Sequence, residues 1–66
     1  MNRKELIKEF KRTLDAIDLQ IALIEQECEE RGFPARKLRD DRGSFILSPL
    51  LLAKAQALHG LALLGA

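Results

Sequence analysis

Sixty-six residues, 47% of them hydrophobic, with eleven bases against ten acids, suffice for one small domain (residues 1–66) with a marginal core. A net charge of +1 gives no bulk attraction to nucleic acid. One cysteine and one histidine exclude an internal disulfide and a structural zinc set, which leaves oligomerisation as the usual remedy for a small core.

The chain opens on "MNRKELIKEF", which is charged throughout and has no apolar stretch, so it does not read as a secretory signal. With one free thiol, the expected compartment is the cytoplasm. Asn2 followed three residues later by Glu5 resembles a capping box and starts a first helix. Apolar residues then recur at Ile7, Phe10, Leu14, Ile17, Ile21, Ile24 and Cys28, in steps of 3 and 4. This is a heptad seam with Cys28 as a small buried hydrophobe. The helix should run to about Arg31, with Gly32 past its end and Pro34 preventing continuation.

Two further features of this helix bear on association. Leu19 and Leu23 lie four apart on the face away from the seam, flanked by Ala16 and Ala22. A two-helix hairpin covers the seam and leaves this patch exposed. The charges are also segregated. Residues 1–14 carry five bases against two acids, +3, whereas residues 15–30 carry six acids and no base, −6. That polarity opposes the helix dipole. An antiparallel copy would set the basic half against the acidic half, the pattern of a two-fold self-association.

The middle segment, "FPARKLRDDRGSFILS", has no helical period. "DDRG" suits a type I turn, with Gly43 in a left-handed position. The expectation is a short β-hairpin or an ordered loop, with Lys37–Arg39 and Ser44–Leu47 as its arms. Arg36, Lys37, Arg39 and Arg42 crowd its tip. They form either a docking element for an acidic partner surface or phosphate, or a solvated loop offset by Asp40 and Asp41.

In the last segment, Ser48 reads as an N-cap and Pro49 as the first helical residue, with the helix running to about Leu64 and Gly65 past its end. Leu50, Leu51, Leu58 and Leu61 are placed on one side, with Leu52 and Leu63 beside Gln56 and His59 on the other. A helix apolar nearly all round needs cover on several sides. Lys54, Gln56 and His59 interrupt the run, so no membrane span is expected. An interfacial helix would want a basic face, which is absent. Lys54 is expected to pair with the acidic end of the first helix, at Glu25. Gly60 costs about 1 kcal/mol against Ala inside a helix, which a close helix contact would explain. His59 has no ligand or base partner at a useful spacing and reads as a surface or interface residue.

The expected fold is therefore mainly α: a long heptad helix, a short β-hairpin or ordered loop, and an apolar second helix. The helices pack as an antiparallel hairpin that oligomerises into a bundle. Leu19, Leu23, Leu52, Ala53, Ala57, Gly60, Leu63 and Leu64 are the expected interface between copies. Arg36, Lys37, Arg39 and Arg42 are the expected partner-binding residues. No catalytic group, metal site or cofactor is indicated. The sequence points to a non-enzymatic, homo-oligomeric interaction module that binds or scaffolds another protein. The alternative is a small nucleic-acid-binding regulator using the basic N-terminal turn and the loop tip.

Overall fold

The computed structural model describes all 66 residues as two α-helices, α1 (Arg3–Glu30) and α2 (Leu47–Leu63), joined by an ordered loop. The start of α1 follows from Asn2, whose side-chain oxygen accepts a hydrogen bond from the Glu5 N–H at 2.8 Å. Its end follows from Gly32, which takes φ 66°, a conformation only glycine adopts without strain. There Gly32 N–H bonds to the Glu29 carbonyl at 3.1 Å and Phe33 N–H to the Cys28 carbonyl at 2.9 Å. These are the two bonds of a Schellman stop. The same motif closes α2: Gly65 takes φ 73°, with bonds from Gly65 to Ala62 and from Ala66 to Leu61.

The entry to α2 differs from expectation. The helix begins one residue before Ser48, at Leu47. The flanking residue is Ile46, and no side chain caps the turn. Ile46 N–H is instead bonded to the Leu38 carbonyl at 3.1 Å, which ties the helix start to the loop. Pro49 becomes the third helical residue, still within the first turn, where its missing N–H leaves no bond unmade.

The loop carries a 3₁₀ turn at Ala35–Lys37 and one isolated antiparallel bridge between Arg39 and Phe45. No strand forms: the 3₁₀ turn takes up Lys37 of the first arm, α2 takes up Leu47 of the second, and pairing between them is left to the Arg39–Phe45 bridge. Its tip is a turn closed by the Gly43 N–H to Asp40 carbonyl bond at 3.0 Å, with Gly43 at φ 81°. The Asp40 carboxylate accepts the N–H groups of Arg42 (2.8 Å) and Ser44 (3.0 Å) and so fixes the tip.

The helices run antiparallel, as three contacts show. Lys54 of α2 meets Asp18 of α1, Gly60 lies on the ring of Phe10, and the Arg3 guanidinium donates to the Leu64 carbonyl, through Nε at 2.8 Å. Every residue of the apolar series on α1 is buried or half-buried, Ile21 and Cys28 most fully. On α2 the matching inner face is Leu47, Leu50, Lys54, Ala57, Leu61 and Leu64, again in steps of 3 and 4. This corrects the expected grouping: Leu51 and Leu58 do not share the inner side with Leu50 and Leu61 but stand exposed on the flank. Only five residues are buried, and the molecule extends 43 × 22 × 16 Å with a radius of gyration of 14.3 Å. A compact domain of this length would have a radius near 11 Å. The fold is a thin slab whose two broad faces and α2 back meet solvent.

Candidate interaction surface

The inner face of α2 is built from small groups. Ala57 is 5% exposed, and a Cβ added at Gly60 would sit 2.7 Å from Phe10 Cζ. Small residues here let the helix axes approach closely and let the Phe10 ring fill the gap. The consequence appears on the other side of the helix. Its bulkiest side chains are left out of the hairpin: Leu63 is 75% exposed, Leu52 61%, and Leu51 and Leu58 nearly half. Leu51, Ala55, Leu58 and Ala62, spaced 4, 3 and 4, form one exposed flank stripe. Leu52 and Leu63 lie on the back, with Gln56 and His59 between them.

On α1, Leu19 is 61% exposed and Leu23 is similarly open. Leu23 is one wall of a shallow apolar groove of about 450 Å³, together with Gln20, Ile24, Ile46, Pro49 and Leu50. Leu52 stands one turn from Pro49 on the same side of α2. The register set by Lys54 with Asp18 and by Gly60 with Phe10 brings Leu52 level with Leu19. Leu23 and Pro49 border the groove, whereas Leu19 on the outer side of α1 and Leu52 on the back of α2 turn away from each other. The chain exposes 5263 Å² in all, against about 4,200 Å² for a folded monomer of this mass.

Of the eight residues expected at an interface between copies, Leu19, Leu23, Leu52 and Leu63 face solvent, and Ala53 is half-buried at the helix edge. Ala57, Gly60 and Leu64 lie instead on the inner side of α2, against α1 of the same chain. An all-apolar helix does not reveal in its sequence which side turns inward. Lys54 also has a different partner from the one expected. Its Nζ lies 2.8 Å from Asp18 Oδ1 rather than near Glu25. Glu25 lies level with the start of α2, whereas Lys54 is two turns further in. Both side chains of the pair are partly exposed, at 39% and 46%, so the pair contributes about 0–1 kcal/mol.

The basic loop residues are all exposed. The Arg39 guanidinium lies 4.2 Å from the Phe45 ring centre and donates to the Gly43 carbonyl at 3.2 Å. The cation–ring contact and the hydrogen bond hold Arg39 to the loop. Arg36, Lys37 and Arg42 form no ion pair within the chain. Cys28 is buried beneath a second pocket bounded by Glu27, Arg31, Phe33 and Leu38. His59 stands exposed on the back of α2. No group of three or more His, Cys, Asp or Glu side chains is gathered that could hold a metal ion, and no helix is long and apolar enough to cross a membrane.

The sequence signal for the outward Leu residues was their excess over what one hairpin seam can hold. The groove beside Leu23 had no such signal, because it arises where the loop end, the start of α2 and α1 converge. Compared with protein-family models, with curated proteins and with solved structures, the chain matches none.

Proposed function

We propose that this chain is a non-enzymatic helical interaction module that associates with itself and presents its loop to another protein. The observation that carries the reading is the outward placement of Leu51, Leu52, Leu58 and Leu63, while Ala57 and Gly60 face inward. Exposed apolar area on this scale marks a surface covered by another chain. Burying a leucine contributes about 1.5–3 kcal/mol, so even two such residues per copy outweigh the few tenths contributed by an exposed ion pair. Arg36 and Lys37, exposed on the 3₁₀ turn, and Arg42, exposed on the tip fixed by Asp40, are the recognition element for an acidic partner surface.

Sedimentation velocity at micromolar concentration tests the reading. The wild-type chain is expected to sediment as a multiple of 7.4 kDa. The double variant Leu52→Gln/Leu63→Gln is expected to shift toward monomer with its helical circular dichroism intact. A clean monomer for the wild type at all concentrations would sink the reading.

The nucleic-acid reading rests on the basic N-terminal turn together with the same three unpaired loop side chains. It predicts a salt-dependent mobility shift of a generic DNA or RNA probe, lost in Arg36→Ala/Lys37→Ala/Arg42→Ala. No shift at about 50 mM salt, where phosphate contacts are strongest, would remove it.

A further inference from the structure

Resting on the self-association proposed above, the surface of α1 specifies how the second copy lies. Starting from Leu19 and Leu23, steps of 3 and 4 toward the N-terminus give Ala16, Arg12 and Lys8. Steps of 4 and 3 toward the C-terminus give Glu27 and Glu30. Residues at these spacings share one side of a helix, and all of them are exposed. The stripe therefore reads base, base, alanine, leucine, leucine, acid, acid. Lys8 and Glu30 are each eleven residues from Leu19, roughly 16 Å along the axis.

A two-fold interface must be self-complementary, since each contact occurs twice with the copies exchanged. This stripe meets that condition in one orientation. With Leu19 against Leu19 of an antiparallel copy, Lys8 faces Glu30, Arg12 faces Glu27, and Ala16 faces Leu23. A parallel copy sets each charge against its own kind. Nothing within the chain removes the complementarity. Lys8 and Glu30 have no ion pair. Arg12 and Glu27 have only exposed neighbours on their own helix, Glu9 at 3.6 Å and Arg31 at 2.9 Å, and pairs of this kind are weak.

The groove borders the stripe at Leu23, which is both a wall of the groove and one of the two central leucines. The chain exposes roughly 1,000 Å² more than a monomer of its mass is expected to. A standard interface needs about 800 Å² from each partner. From the self-complementary stripe, with Leu19 and Leu23 at its centre, and this area, we infer that the outer side of α1, bordered by the groove at Leu23, seats a second copy of the chain. The two α1 helices run antiparallel, and the two-fold axis passes near Leu19.

Charge reversal tests the orientation. Three chains are compared with wild type by sedimentation and native mass spectrometry, with helicity checked by circular dichroism. They are Lys8→Glu/Arg12→Glu, Glu27→Lys/Glu30→Lys, and the variant carrying all four changes. Each double variant is expected to self-associate about tenfold or more weakly, because every reversal acts twice across the two-fold. The two double variants mixed at equal concentration should form a one-to-one heterodimer, and the fourfold variant should recover wild-type association. Double variants that self-associate like wild type, or a fourfold variant that stays monomeric, would overturn the inference. A wild-type dimer abolished by Leu52→Gln/Leu63→Gln yet indifferent to these reversals would overturn this orientation alone and leave the interaction module standing. A monomeric wild type would overturn both.

Discussion

The two helices bury apolar surface by opposite logics. Along α1 the large aliphatic and aromatic residues turn inward except Leu19 and Leu23, and most of what remains is charged. Along α2 the inward positions include Lys54, Ala57 and Gly60, while Leu51, Leu52, Leu58 and Leu63 turn out. The first helix turns most of its bulk onto the second, while the second keeps its bulk outside, and its small inner residues are what allow Phe10 to seat between the helices. An apolar helix is thus not always a core helix: close packing on one side can displace its bulk to the other.

Substitutions can break this contrast, and the largest effect is expected at the seam. Leu61→Ala removes a side chain that is only 8% exposed and should cost about 2–4 kcal/mol in thermal or urea unfolding. Leu63→Ala, two residues away and mostly exposed, should leave hairpin unfolding within about 0.5 kcal/mol at concentrations below association. Equal losses at the two positions would erase the distinction between the inner and outer sides of α2.

Gly60→Ala comes next. Alanine favours helix by about 1 kcal/mol, but the new methyl would meet Phe10 within 3 Å. Overpacking of this kind costs about 1–3 kcal/mol, so a net loss near 1 kcal/mol is expected. In a Phe10→Ala background the same change should become neutral or stabilising, and a double-mutant cycle in urea measures the coupling.

Asn2→Ala should cost about 0.5–1 kcal/mol, by removing the one side-chain bond that closes the start of α1. The uncapped start of α2 predicts less than that for Ser48→Ala. A larger loss at Ser48 than at Asn2 would place the α2 cap back on its serine. The smallest effect belongs to Lys54→Met. The pair with Asp18 is partly exposed, and an apolar residue suits the inner face. Hairpin stability should therefore change by under about 0.5 kcal/mol.

Much of α1 was legible from its residues. The cap at Asn2, the 3-4 seam and the stop at Gly32 act within a turn or two, so local spacing contains their physics. The loop was legible at its tip, where Asp40 and Gly43 make a turn by themselves, and not in its arms. Whether Lys37–Arg39 extends or coils depends on Leu38 and Ile46 meeting across the loop.

What the sequence by itself determined was two helices, the turn between them, the charge polarity of α1 and an excess of leucine beyond one seam. These follow from backbone propensity, capping and periodicity, which are local. Only the tertiary structure decided which side of α2 faces inward, that Lys54 meets Asp18 rather than Glu25, that Gly60 holds Phe10, and where the groove opens beside Leu23. A helix apolar on all sides offers several inward faces of similar hydrophobic gain. The choice among them falls to how closely Ala57 and Gly60 let the second helix approach the first.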